Sequence, residues 1–291
     1  MIYKLLATDM DGTLLMNNKV LSQENIEALK RAKNQGVEIV ICTGRPYPNV
    51  KPYLEQLGFD CWVITNNGAV IRNKEGKIIS AVYMKPKALE EAIVLLQKEN
   101  IYFHVSDEKY TYIKSYRERI KNIQRLILQT GVSNLKAHLL STWFVFFNGS
   151  HKKVNFSSFI RDGGKAASIF ILSKCQQQLQ NISKKLKDIK AIDITSSGYD
   201  NVEVLDENAT KGKALQQLAK VLNINQEAII AVGDNYNDLS MIEYAGLGVA
   251  MNNAEKAVIE KANWVTKSNE EHGIAHLVRH FIEAPHEAVE M

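Results

Sequence analysis

An apolar run from Tyr3 to Thr8 breaks off at Asp9-Met10-Asp11-Gly12-Thr13. A short run of this kind fits a strand buried on both faces. LSQENIEALKRAKNQG then sets Ile26, Leu29 and Ala32 on one helical face, with Ser22 placed to cap the start and Gly36 to end it. VEIVICT (37–43) reads as a second strand, PNVKPYLEQLG as a short helix ending at Gly58, and CWVIT (61–65) as a third strand. Strand and helix alternating at this spacing predict a parallel sheet with right-handed crossovers.

The rhythm then changes. AVIRNKEGKIISAVYM predicts a hairpin turning at Lys74-Glu75-Gly76-Lys77, and KALEEAIVLLQKEN a helix. Beyond it YFHVSD, KYTYI, WFVFF, ASIFIL, AIDITSS and NVEVL read as strands, the last two antiparallel about Gly198-Tyr199-Asp200-Asn201. From Thr210 the first rhythm returns. TKGKALQQLAKVLNI is an amphipathic helix with Ala214, Leu215, Leu218, Ala219 and Leu222 on one face. AIIAVG, LGVAM and WVT follow as strands, with LSMIEYAG and AEKAVIEKA as helices between them, and the polar tail EAPHEAVEM is expected to fray. The expected fold is α/β: a Rossmann-like parallel-sheet core (1–83 and 208–291) split by an inserted α+β domain (84–207).

Composition narrows the function. With 291 residues, 45% hydrophobic and 23% charged, the chain has ample material for a globular core. A net charge of +4, without a basic stripe interleaved with aromatics, argues against nucleic acid. Cys42, Cys61 and Cys175 are odd in number and far apart, which argues against disulfides and zinc and suits small buried hydrophobes in a reducing compartment. The first apolar stretch meets Asp9 before a signal peptide's apolar region could form, and no segment approaches the ~18 apolar residues of a membrane span. A cytoplasmic protein is expected, a monomer or small homo-oligomer. His276 and His280 stand four apart without other ligands, as on a helix surface. The insert carries +6 and the remainder −2. That division suits an anionic substrate held between them, although solvated lysines are the ordinary reading of such an excess.

Four stretches carry the candidate chemistry: Asp9-Met10-Asp11-Gly12-Thr13, Thr43-Gly44-Arg45, Thr210-Lys211-Gly212, and Gly233-Asp234-Asn235-Tyr236-Asn237-Asp238. Each follows a predicted core strand or opens a core helix, and ligands of parallel α/β sheets bind beyond the strands' carboxyl ends. Asp9 and Asp234 suit Mg²⁺, which takes a few oxygen ligands and keeps waters. Thr43 and the Gly44 N–H suit a phosphoryl oxygen, and Lys211 with its helix N-terminus suits the same anion. Gly12 permits a tight turn after the acids. One acid of the Asp9/Asp11 pair can attack phosphorus while the other protonates the leaving alkoxide and later activates water.

With these residues in place, the sequence resembles the haloacid dehalogenase (HAD) superfamily of phosphatases. DMDGT resembles its first motif, Thr43 of CTGR its second, Lys211 its third and GDNYND its fourth. About 30 residues separate the first two motifs, filled by one helix and one strand, so the insertion lies between the second and third. That order resembles the subfamily IIB, Cof-type phosphatases with a C2B-type cap, and TGRPYPNVKPYLEQLG, ITNNGA and GDNYNDLSMIEYAGLGVAM resemble the YidA-type sugar phosphatases.

The resemblance implies that Asp9 is the nucleophile and Asp11 the general acid/base. Mg²⁺ would be held by the Asp9 carboxylate, the Asp11 carbonyl and Asp234. The Met10 N–H, Thr43, Gly44, Lys211 and Asn237 would contact the phosphoryl group, and Asp238 would orient Lys211 or metal-bound water. Arg45 and Asn67-Gly68 fit either the mouth of the site or a helix entry and a tight turn. Glu203, Tyr199, Arg117, Arg119, Arg125 and Arg161 are unranked candidates for selecting substrate. The expected activity is a Mg²⁺-dependent phosphatase for small phosphorylated metabolites, chiefly sugar phosphates. Two alternatives are a phosphomannomutase-like phosphomutase and a non-catalytic sugar-phosphate-binding regulator.

Overall fold

A computed structural model describes residues 3–128, 131–147 and 150–283; most of the polar tail expected to fray lies outside them. The first half-core runs β1 (Leu5–Thr8), α1 (Gln23–Asn34), β2 (Glu38–Cys42), α2 (Tyr47–Leu57), β3 (Trp62–Thr65), and the hairpin β4 (Val70–Arg72) and β5 (Ile78–Ala81). Ser22 caps α1 by accepting the Asn25 N–H, and Gly58 ends α2 in the left-handed region at φ +70°. A second group of elements follows: α3 (Pro86–Lys98), β6 (Tyr102–Ser106), β7 (Thr111–Ile113), α4 (Tyr116–Leu128), α5 (Asn134–Phe147), β8 (His151–Lys153), α6 (Phe156–Arg161), β9 (Ser168–Leu172), α7 (Gln176–Leu186), β10 (Ile192–Thr195) and β11 (Asn201–Asp206). The chain then returns through α8 (Lys211–Leu222), β12 (Ile229–Gly233), α9 (Leu239–Tyr244), β13 (Leu247–Ala250), α10 (Lys256–Lys261), β14 (Trp264–Val265) and α11 (Gly273–Val278).

Two sheets result. The larger has the order β14-β13-β12-β1-β2-β3-β4-β5, parallel from β14 to β3 and antiparallel through β4 and β5. β1 lies between β2 and β12, so the chain leaves it in one direction first and the other direction later. That reversal opens a crevice at the carboxyl ends of these three strands. Alternate β1 residues bury into opposite cores. Leu6 packs with α1 and α11 residues such as Leu29 and Leu277, while Leu5 and Ala7 pack with Leu215 and Leu218 of α8. An apolar run buried on both sides is what this central position demands.

The smaller sheet has the order β10-β11-β9-β6-β7-β8 and is antiparallel except for β7 with β8. One face packs Phe103, Val105, Ile169, Ile171 and Val204 against Leu89, Ile93 and Leu96 of α3 and Leu179 and Ile182 of α7. The other face buries polar side chains, among them His104, Ser106, Ser168 and Glu203. Two of these meet the larger sheet's loops, Ser168 at Asn66 and Glu203 at Asn67.

Two expectations fail. WFVFF is not a strand; it is the end of helix α5. β7 and β8 pair in parallel, and a parallel pair needs a crossover, which α4 and α5 provide. Ala137, Ser141 and Val145, spaced four apart, turn inward, and this helical period overrides the local strand preference of the aromatic run. Cys175 is exposed at the start of α7, whereas Cys42 and Cys61 are buried.

Candidate active site

The carboxyl ends of β1, β2 and β12 bring three of the four stretches together. Strand register sets Thr8 beside both Val232 and Ile41, and the Asp9 N–H donates to the Val232 carbonyl at 3.0 Å. Asp9 therefore leaves the sheet level with Cys42 and Gly233, one residue before Thr43 and Asp234. Helix α8 delivers Lys211 from the side. Thr210 caps that helix by accepting the Lys213 N–H, which fixes Lys211 in the first turn.

Lys211 is fully buried, and its Nζ donates to Asp9 Oδ1 and Asp238 Oδ1, both at 2.6 Å. Burial would lower its pKa, but the two carboxylates hold it charged. Asp238 Oδ2 accepts the N–H groups of Asp234 and Asn235 at 2.9 and 3.0 Å, so this carboxylate is spent on Lys211 and its own loop. Asp234 Oδ1 accepts the Thr13 hydroxyl at 2.7 Å. Gly12 has φ +80°, and a Cβ there would lie 2.4 Å from Asp234 Oδ2; the loop after β1 closes onto Asp234 only without a side chain.

Three buried carboxylates stand close together at this point. Burial drives the Asp9 carboxyl well above its ordinary value; Lys211 opposes the shift and Asp238 and Asp234 add to it. Asp234 is pushed up to about 7 by burial and by Asp238, against Thr13 and Lys211. Ligand oxygens of Asp9, Asp234 and Asp238 lie within 4.8 Å of one another. Asp238 has both oxygens engaged, by Lys211 and by the Asp234 and Asn235 N–H groups, whereas Lys211 takes one oxygen of Asp9; Asp9 and Asp234 are the carboxylates best placed to share a cation. All-oxygen donors of this kind suit a hard divalent ion.

Asp11 stands apart from the buried pair. Arg45 grips it with Nε to Oδ2 at 2.6 Å and Nη2 to Oδ1 at 2.7 Å, and Lys19 Nζ adds 2.7 Å to Oδ1. Burial would raise its pKa, but these two cations hold it well below the usual carboxylate range. The Arg45 guanidinium stacks over Tyr53 at 5.0 Å, and the Arg45 N–H donates to Thr43 Oγ1 at 3.1 Å.

A polar chain links this floor to the second sheet. Asn237 Nδ2 donates to Asn67 Oδ1 at 2.9 Å, Asn67 Nδ2 to Glu203 Oε2 at 2.6 Å, and the Ser197 hydroxyl to Glu203 Oε1 at 2.5 Å. Gly68, at φ +108°, lets this turn close on α8, since a Cβ would fall 2.3 Å from the Thr210 carbonyl oxygen. Gly44 lies beside the same Asn67 side chain, and Met10 is buried in the core below the loop.

The structure thus brings Asp9, Asp234, Lys211 and Asp238 together directly, with Asn67 and Asn237 beside them. Of the substrate-selecting candidates, only Glu203 reaches this group. Arg125 pairs with Asp200 at 2.5 Å, Arg119 is held by His104 and His151, and Arg117, Arg161 and Tyr199 face solvent. Lys19 and Asn66 are residues that sequence reasoning left out. Lys19 follows a polar turn with no motif to mark it, and only folding brings it back onto Asp11.

The model of the haloacid dehalogenase-like hydrolase family matches residues 6–278. The chain belongs to this family. It is 34% identical over 278 residues to the Bacillus subtilis 5-amino-6-(5-phospho-D-ribitylamino)uracil phosphatase YwtE, spanning 94% of this chain and 96% of that one. It is 32% identical over 284 residues to the phosphatase YwpJ of the same organism, spanning 96% and 100%. A solved haloacid dehalogenase-like hydrolase from B. subtilis superposes with a TM-score of 0.85 at 33% identity, over 96% of this chain and all of that one. This HAD hydrolase is a phosphoric monoester hydrolase acting on phosphorylated small molecules. Its parallel core with a smaller second sheet is the architecture of that solved relative. Among the described residues no helix is long and apolar enough to cross a membrane.

Proposed function

We propose that this chain hydrolyses phosphomonoesters of hydroxyl-bearing metabolites, sugar phosphates in particular, through an aspartyl phosphate on Asp9. One Asp9 oxygen forms a bond to phosphorus as the bond to the leaving oxygen breaks, and Asp11 gives that oxygen its proton. Asp11 then takes a proton from the water that attacks the aspartyl phosphate, and inorganic phosphate leaves with Asp9 restored. Lys211, Thr43, the N–H groups of Met10 and Gly44, and Asn237 hold the phosphoryl oxygens. Asp238 keeps Lys211 in place. Arg45 orients Asp11, and a substrate's charge drawing Arg45 aside frees that carboxyl to take up a proton.

Mg²⁺ would be held by the Asp9 and Asp234 carboxylates together with the Asp11 carbonyl. When bound it offsets repulsion between carboxylate and phosphate and stabilises charge in the transition state. Residues 84–207 act as a cap over the core formed by 1–83 and 208–291. A small phosphorylated metabolite, rather than nucleic acid or membrane, is the partner, and a cytoplasmic location is consistent with this.

The observation that carries the substrate class is Glu203. Its buried carboxylate leaves the cap sheet to reach Asn67 above the Lys211 floor. With Ser168 and Asn66 nearby, it offers acceptors to a leaving group rich in hydroxyls. The relative YwtE is named for a phosphorylated ribityl compound, whose hydroxyl-bearing ribityl chain is such a leaving group.

The test is phosphate release, with Mg²⁺ and with chelator, from sugar phosphates, a ribityl phosphate, pyridoxal phosphate and a phosphopeptide. Hydroxyl-bearing aliphatic phosphates are expected to have the highest kcat/KM, and Glu203→Gln is expected to narrow their lead. Preference for pyridoxal phosphate or the phosphopeptide would overturn the substrate class and leave the chemistry at Asp9 standing.

A further inference from the structure

Helix α5 has two apolar sides. Ala137, Ser141 and Val145 turn inward. On the other side Leu135, Leu139, Leu140, Trp143, Phe146 and Phe147 are each between 42% and 73% exposed. At roughly 100° per residue the six fall within an arc of about 140°. Among the described residues, every other helix exposes at most one large hydrophobic side chain. Within the arc the single charge is Lys136. An arc rich in aromatics with a single charge has the composition of a buried interface core rather than of a wetted surface.

We propose that α5 forms the two-fold contact of a homodimer, with α5 of a second copy of this chain lying antiparallel across it. Size is the first reason. The six side chains expose on the order of 700 Å² per protomer, so their full burial in two copies sets an upper limit of about 1,400 Å², which reaches the range of a stable specific interface. A self-complementary stripe on one helix is also what an isologous contact requires.

Charge is the second reason. Lys136 stands in the first turn of α5, at the positive end of its own helix dipole. Antiparallel pairing carries it over the negative C-terminal end of the partner helix. A membrane surface fits less well, because a helix lying in lipid headgroups has a polar face rich in lysine and arginine. The other outward positions of α5 are neutral or weakly basic, with Asn134, His138 and Thr142.

Sedimentation velocity of the full chain over a dilution series tests the contact. The expected species is a dimer, twice the 32.8 kDa chain, that dissociates on dilution. Leu139→Glu and Trp143→Glu are expected to sediment as monomers, with circular dichroism and phosphate release unchanged. Leu140→Cys in a Cys175→Ser background adds a test free of those charges. Mild oxidant should link it into a covalent dimer and leave Val221→Cys, exposed on α8, uncrosslinked. A wild-type monomer at every concentration, or dimers that persist in both glutamate variants, would overturn the proposal. So would a monomer that floats with phosphatidylserine vesicles through Trp143.

Discussion

Lys211 has no exposed surface and lies 2.6 Å from both Asp9 and Asp238. Replacing it by methionine leaves two buried carboxylates facing each other. Lys211→Met is expected to cost about 3–5 kcal/mol in urea unfolding and to remove phosphate release. Asp234 supplies a pH signature. Its carboxyl titrates near 7 in the folded chain because of burial and Asp238, against an ordinary value of 3.8. Between those values the folded state holds more protons than the unfolded state. The stability from this group is therefore complete below about pH 4 and is lost as pH rises through about 7. Thermal midpoints in chelator are expected to fall across that window, and Mg²⁺ is expected to flatten the fall by replacing the proton. At this scale much of the site was legible. Asp9 and Asp234 announce themselves because acids at the ends of buried apolar runs need a reason to be there, and Lys211 because it opens an amphipathic helix where an anion would bind. The grip of Lys19 and Arg45 on Asp11 was not legible as a pair, because it depends on how the loop after β1 folds back.

Helix α8 enters the site on a cap and a close approach. Thr210→Ala removes the cap and is expected to cost about 1 kcal/mol. Gly68→Ala sets a Cβ 2.3 Å from the Thr210 carbonyl oxygen at a φ of +108°. It is expected to cost about 1–3 kcal/mol and, by displacing the turn that carries Asn67, to lower kcat as well. Thr210→Ala should lower kcat less, and steady-state kinetics on both variants separate the two effects. The core elements were readable because continuous apolar runs alternate with helices of clear period. Residues 134–147 were misread at their end because WFVFF has strand composition, while its fate was set by the crossover between β7 and β8 and by three inward residues spaced four apart. Only the tertiary pairing carries that information.

The whole molecule sets a six-stranded sheet over an eight-stranded one, with polar side chains between them at the carboxyl ends of β1, β2 and β12. Residues 84–207 carry a net charge of +6, so KM for a phosphate ester is expected to rise with ionic strength as this long-range attraction is screened. The polar contact of Glu203 with Asn67 joins residues 136 positions apart, and strand prediction alone could not bring them together. The central claim is that Asp9 takes the phosphoryl group. Mass spectrometry of the protein quenched in acid during turnover, with Mg²⁺ and a good substrate, tests it most directly. A phosphoryl adduct on the peptide containing Asp9, absent from an Asp9→Asn variant that releases no phosphate, is the predicted result. Turnover by Asp9→Asn at the wild-type rate, with no adduct on either protein, would contradict it.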